Sequence, residues 1–200
     1  MDDKPDHEGL YRLAEEQAGF FTVEQAQEYG FSRALLSHHS RSGGRFERSE
    51  RGFYRLRLFP SSPHDEVVRA WLAVGPDVAV VSHESALDVY GLADVIPSAV
   101  HLTVPRSHRW KSPPKGVRLH TTTKDSRPEE IRRWSGVRVT SPERTLIDLV
   151  EAALSPDQLA LAYRQALARG LLTPQSLSTA IAGRAKSTQS ALRQLMEETA

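Results

Sequence analysis

Two hundred residues suffice for one domain or two small ones. An apolar fraction of 39% and a charged fraction of 26% are ordinary for a globular chain, and the absence of cysteine excludes disulfides, thiolate chemistry and Cys-ligated zinc. The net charge of +1 says little by itself, because the distribution of charge carries the information.

The opening string MDDKPDHEGLYRL is acidic and lacks an apolar h-region, so no signal peptide is expected. No apolar run approaches the roughly 18 residues of a membrane span, and a cytoplasmic location is the expectation. A first helix is predicted over His7 to Ala18, with Leu10, Leu13 and Ala14 facing a core. Phe20 and Phe21 fall between helices, with Phe21 placed to staple the next one. Thr22 stands three residues before Gln25, which is a capping box, and Val23, Ala26 and Tyr29 follow at helical spacing. Gly30 occupies the position after that helix, where positive φ is wanted.

Ser32 caps a further helix carrying Ala34, Leu35 and Leu36, which Gly43-Gly44 ends. A turn of about three or four residues thus separates two short helices, as in a DNA-reading helix-turn-helix. Phe46, Phe53, Tyr54, Leu56 and Leu58 then flank the polar ERSERG segment, which suits two short strands and a turn at Gly52. This order is that of a winged helix-turn-helix.

Charge singles out the same stretch. Between Gly30 and Pro60 seven arginines stand against two glutamates, a surplus of five positive charges. Residues 1–29 hold two bases against eight acids, a surplus of six negative ones. All seven bases are arginine, whose planar fork suits phosphate and guanine edges. On a helical wheel Leu35 and Leu36 point one way, with His39 between them as a packing residue. Arg33, Ser37 and Arg41 fall opposite, with His38 at their edge, open between DNA contact and plain surface. Arg33, Ser37, His38 and Arg41 are therefore the predicted groove-facing set, and Ser32, the cap, is the predicted DNA contact to a phosphate. Arg45, Arg48 and Arg51 are the predicted wing contacts, directed at phosphate more than at bases.

Pro60 to Pro63 reads as a linker, placing a winged domain at 1–60 and a second domain at 61–200. Ser62 and Pro63 are predicted to open a helix running to Val74. Residues 78–92 begin as an apolar run and turn helical after Ser82, with Gly91 as a cap. Residues 99–104 alternate as a strand, and Val117 with Leu119, then Val137 with Val139, mark two more. The remainder is predicted helical, its starts punctuated by Ser141-Pro142, Ser155-Pro156 and Thr173-Pro174, with Gln158 completing a capping box on Ser155. The fold class expected is α+β: a winged helix-turn-helix followed by a mixed domain with a small sheet and several helices.

A second basic stretch spans 105–118, including Arg106, Arg109, Lys111 and Lys115 around Trp110. Two readings stay open: an auxiliary surface for DNA or an acidic partner, and solubilising charge. Enzyme readings fare poorly. His83-Glu84 lacks a second ligand at helical metal spacing, and no glycine-rich phosphate loop occurs. Ser82 and Ser85 read as cap and helix residues, and Glu143, Arg144 and Asp148 as surface pairs. No catalytic residue, metal site or cofactor is expected.

SRALLSHHSRSGGRF with ERGFYRL in the first half, and SHESALDVYGL, VHLTVPR, GVRLH and GVRVTSPERTLIDL in the second, resemble the AbiEi family of antitoxins from type IV toxin–antitoxin systems. The likeness covers nearly the whole chain. It implies a transcriptional repressor that binds double-stranded DNA at its own promoter and neutralises a nucleotidyltransferase-like toxin encoded beside it. Some chains with this front end continue into an endonuclease-like domain, and the end at Ala200 leads to the expectation that this one does not. A single winged helix buries a modest surface on DNA, which favours an inverted repeat. The competing expectation is a protein-interaction module without specific DNA binding.

Overall fold

A computed structural model describes residues 4–109, 112–123 and 126–199. The chain forms two compact units, one of residues 1–73 with 135–137 and one of 74–134 with 138–200. No helix among the described residues is long and apolar enough to cross a membrane.

The first unit opens with α1 (His7–Glu16), β1 (Phe20–Thr22), α2 (Val23–Glu28) and α3 (Arg33–His39). The hairpin β2 (Phe46–Glu50) and β3 (Phe53–Leu56) and the helix α4 (Asp65–Val74) complete it. Local chemistry explains most of these boundaries. Asp6 caps α1 by accepting from the Gly9 amide at 2.8 Å. Thr22 and Gln25 form the expected reciprocal box on α2. The Gly30 amide bonds the Gln27 carbonyl and the Phe31 amide bonds that of Ala26, with Gly30 at φ 80°, which is a Schellman ending. Ser32 Oγ then accepts from the Leu35 amide at 3.1 Å and starts α3.

Two sequence expectations change here. Phe20 and Phe21 are strand residues, pairing with Arg55 and Tyr54 of β3, so the wing is a three-stranded sheet in the order β1-β3-β2. Both rings are buried, and Phe21 packs against Phe46 and Tyr54. The helix expected from Pro63 starts at Asp65, because Ser62 Oγ accepts from the His64 amide and Asp65 accepts from that of Ser62, which makes a turn of residues 62–64. Leu10, Phe21, Phe31, Leu36, Phe46 and Leu56 form the centre of this core.

The second unit is built on a five-stranded sheet in the order β6-β5-β4-β8-β7. Its strands are β4 (Val80–Val81), β5 (Val100–Pro105), β6 (Val117–Thr122), β7 (Ile131–Trp134) and β8 (Val137–Thr140). β5 runs antiparallel to β4 and parallel to β6, and β4 runs parallel to β8. β5 is buried on both faces. The helices are α5 (His83–Tyr90), α6 (Pro142–Glu151), α7 (Pro156–Ala168), α8 (Pro174–Ile181) and α9 (Lys186–Thr199). Leu87, Leu146, Ile147, Tyr163, Leu177 and Leu192 anchor their common core. Gly91 ends α5 at φ 62° as expected. Ser141 and Thr173 cap α6 and α8, but Ser155 makes no side-chain cap on α7. The Gln158 carboxamide accepts instead from the Asp94 amide at 3.3 Å.

A buried polar hub holds this unit. The Glu130 carboxylate, 7% exposed, receives Arg127 at 3.0 Å, Arg144 at 3.0 Å, and Arg184. Burial opposes its charge, but the Arg127 hydrogen bond and the charges of Arg144 and Arg184 hold the carboxyl below the usual range. Arg144 also binds Asp148 at 2.6 Å, an i,i+4 pair that the sequence placed on the surface and whose carboxylate is in fact buried, its guanidinium half-buried. Burial pushes Asp148 up to about 6 against the pull of Arg144. Glu143, likewise buried, accepts from Ser176 Oγ at 2.7 Å. Arg127, Glu130, Glu143, Arg144 and Ser176 line a cavity of about 290 Å³. Removing one member of a buried charge cluster leaves the others unpaired, at about 3 kcal/mol or more. Glu130→Ala should therefore lower the unfolding free energy by that order, read from denaturant titration, and a value equal to the parent's would refute the hub.

Candidate nucleic-acid interface

Four residues, 29–32, separate α2 from α3, and the β2–β3 wing follows. On α3, Leu36 is buried and Leu35 half-buried, while Arg33, Ser37 and His38 are exposed. Ser32 is exposed too, though its hydroxyl is engaged with the Leu35 amide. His39 is half-buried among the rings of His7, Phe31 and Phe46. Burial, aided by His7, His38 and Arg45, lowers its pKa, which suits a neutral packing residue.

Arg41 departs from the expectation. The helix stops at His39, with Ser40 as its cap and Ser40 Oγ bonded to the Leu36 carbonyl at 2.6 Å. Arg41 therefore lies beyond the helix, exposed in the turn that leads to the wing. Arg45, Arg48 and Arg51 are exposed along β2 and its turn, and Gly52 has φ 89° there. The ladder slips between Arg48 and Glu50, a bulge that re-aims the strand tip.

Two of the seven arginines serve the fold rather than a ligand. Arg57 donates to the carbonyls of Gly44 at 2.6 Å, Phe46 at 2.7 Å and Arg41 at 3.1 Å. Arg55 is buried, bonds the Pro60 carbonyl at 2.7 Å, and faces Glu47 at 3.7 Å and Asp65 at 3.5 Å. Glu50 is paired with Arg69. Both wing glutamates are thereby engaged by bases outside the predicted contact set. Arg33, Arg41, Arg45, Arg48 and Arg51 take part in no such pair among the described residues.

In the second unit the second basic stretch follows β5. Arg106 opens a 3-10 turn over 106–108, and Arg106, Arg109 and Lys115 are exposed. Trp110 and Lys111 lie outside the described residues.

The same unit brings together three histidines that local spacing does not connect. His83 starts α5, His101 lies on β5 and His120 on β6. The His83 and His120 rings stack at 3.6 Å, and His120 Nε2 lies 3.3 Å from His101 Nδ1. Burial, reinforced by His120 and His101, lowers His83 to about 3. Burial, then His101 and Arg118, lowers His120 to about 4 against the opposite pull of Glu84. His101 is lowered by burial and Arg118. The signal in the sequence was the alternation of β5, which sets His101 off from Val100 and Leu102, but nothing local pairs it with β6.

The helix pair, four-residue turn and wing make the first unit that of a winged helix-turn-helix regulator, joined to an α+β unit. The chain belongs to the AbiEi antitoxin family. The AbiEi antitoxin C-terminal domain matches residues 78–198, and the family described as transcriptional regulator, AbiEi antitoxin, matches residues 10–57. Membership supports an antitoxin and regulator role, in families that are not of enzymes. A crystal structure of the RV2827C protein from Mycobacterium tuberculosis shares the fold, with a TM-score of 0.55 and 17% identity over 96% of this chain and 75% of that one. No curated protein matches the chain.

The lowered histidines make a pH prediction. The unfolded chain takes protons on its imidazoles near pH 6.5, whereas the folded chain resists until well below that. Their stabilising contribution is present above about pH 6.5 and is lost as the pH falls towards 4. Asp148, raised to about 6, acts with the opposite sign, but one carboxylate is outweighed by three imidazoles. The melting temperature should fall between about pH 7 and pH 5, less steeply in the His83→Gln, His120→Gln double variant. Equal slopes in parent and variant would count against neutral burial of these rings.

Proposed function

We propose that the protein is a sequence-specific DNA-binding autorepressor and the antitoxin of a type IV pair, neutralising a nucleotidyltransferase-like toxin. It acts in the cytoplasm by binding, without catalysis. The observation that carries this reading is the exposed arginine set Arg33, Arg41, Arg45, Arg48 and Arg51, none of them in an ion pair among the described residues, on α3, the turn after it and the wing. Family membership supports the same role.

In this reading α3 enters the major groove by its N-terminal end, where Arg33, Ser37 and His38 meet base edges and Ser32 meets a phosphate. Arg41 and Arg45 follow the backbone beside the groove. Arg48 and Arg51 at the wing tip reach phosphate or a minor groove. The small surface of one winged helix favours two copies on an inverted repeat of the promoter. Arg106, Arg109, Lys111 and Lys115 serve as an auxiliary surface for DNA or the toxin. In this reading residues 1–60 carry DNA binding and residues 61–200 carry the partner function.

The test is fluorescence anisotropy of the full chain with duplex from its own upstream region, beside a scrambled duplex, at two salt concentrations. Tighter binding to its own DNA that persists at the higher salt is expected. Arg33→Ala should cost about 1–3 kcal/mol and change the sequence preference. Arg48→Ala should weaken all sequences alike and reduce the salt slope by about one. Equal binding of both duplexes, or two variants that bind like the parent, would overturn the regulatory reading. For the antitoxin half, co-expression should relieve growth arrest by the adjacent nucleotidyltransferase-like toxin; persistent arrest would overturn it.

A further inference from the structure

We propose that His83, His101 and His120 form a binding site for a late first-row divalent metal ion, of which Zn²⁺ is the natural candidate. One ring nitrogen from each residue lies within 4.8 Å of those of the other two. The three come from three elements, α5, β5 and β6, so the cluster is a product of the tertiary fold. Imidazole nitrogen suits Zn²⁺, Co²⁺, Ni²⁺ and Cu²⁺, and three histidines leave a fourth position for water or another ligand.

Several observations distinguish this cluster from ordinary packing. His83 and His101 are 8% and 3% exposed, yet the buried His101 Nε2 has no hydrogen-bond partner. A buried donor or acceptor left unmade costs free energy, so a cluster of this kind needs a reason to persist. The surroundings keep all three rings neutral at pH 7, which is the form that ligates. His83 also holds a left-handed backbone at φ 54°, a cost for a residue with a side chain.

The neighbouring hydroxyls match what a ligating histidine requires. Ser82 Oγ lies 2.9 Å from His83 Nδ1, and Thr103 Oγ1 donates to Ser82 Oγ at 2.8 Å. In the tautomer that donates from Nδ1 to Ser82 Oγ, His83 Nε2 keeps its lone pair for a ligand. Of the nearby charges, Glu84 favours a bound cation while Arg118 and Arg144 oppose it. The ligand atoms lie within 4.8 Å of one another, and His120 Nε2 and His101 Nδ1 stand 3.3 Å apart, about the separation that Zn–N bonds of 2.0–2.1 Å imply in a tetrahedron. A metal also lies in the plane of each ring it binds. Ion entry therefore turns the His83 and His120 rings out of their stack, on the half-buried His120 side.

The experiment uses the untagged full chain, stripped with chelator and titrated with Co²⁺ without DNA. One equivalent should give the visible absorption of a tetrahedral nitrogen-rich site, Zn²⁺ should displace it, and Zn²⁺ should raise the melting temperature. His101→Ala and His120→Gln should abolish the spectrum, with circular dichroism reporting that each variant is folded. His120→Gln carries the test if the more buried His101→Ala fails to fold. Ser82→Ala should weaken affinity by about tenfold without abolishing it. His108→Gln, in the 3-10 turn, should bind like the parent. Absence of the tetrahedral spectrum, or its persistence in His120→Gln, would overturn the site. Because no DNA is present, neither outcome bears on the regulatory reading.

Discussion

The geometry of the basic surface depends on one guanidinium. Arg57 ties together the carbonyls of Arg41, Gly44 and Phe46, and so fixes the turn between α3 and the wing. Hydrogen bonds from a charged donor are the stronger kind, and three from one side chain restrain three backbone segments at once. The turn they restrain carries no regular structure of its own and begins where α3 has just ended. Without that clamp, Arg41 and Arg45 would sit on a glycine-bearing loop with little to hold it. Arg55 does the equivalent on the other side of β3, linking the strand to Pro60, Ser61 and Asp65. The guanidinium also stands 5.1 Å over the Phe20 ring.

Charge in this unit is therefore sorted by position rather than by sum. The sequence shows seven arginines and two glutamates between Gly30 and Pro60. The fold takes Arg55 and Arg57 inward and pairs Glu47 with Arg55 and Glu50 with Arg69. A surplus of five is what remains in either count, but only the second says which five. A base already paired with a carboxylate has less to offer a phosphate.

What was legible in the sequence was local. The Thr22–Gln25 box, the Gly30 ending, the Ser32 cap and the turn at Gly52 are decided by residues within a few positions of one another. So are the caps at Ser141 and Thr173. Strand β1 was missed because three residues carry no period, and their strand character comes from pairing with β3 more than thirty residues later. The end of α3 was misjudged because a helical wheel extrapolates past Ser40, whose hydroxyl turns back onto Leu36. Among the predicted contacts, exposure of Arg33, Ser37 and His38 followed from periodicity, while that of Arg41 comes from the turn.

The interior of the second unit was the least legible part, and for one reason. Glu130 and Arg184 are 54 positions apart, and His83 and His120 are 37 apart, so no spacing rule reaches either pair. Polar residues in a sequence read by default as surface, and that default fails where partners are distant. The two clusters resolve burial in opposite ways. Glu130 keeps its charge because three arginines surround it, as a buried carboxylate must. Beside the histidines Glu84 offers a counter-charge, but burial and Arg118 outweigh it, and the rings lose theirs. A neutral imidazole retains a lone pair that a packed core has no use for. The fold thus stores donor capacity at His83, His101 and His120 that the Glu130 hub, satisfied on its own terms, does not have.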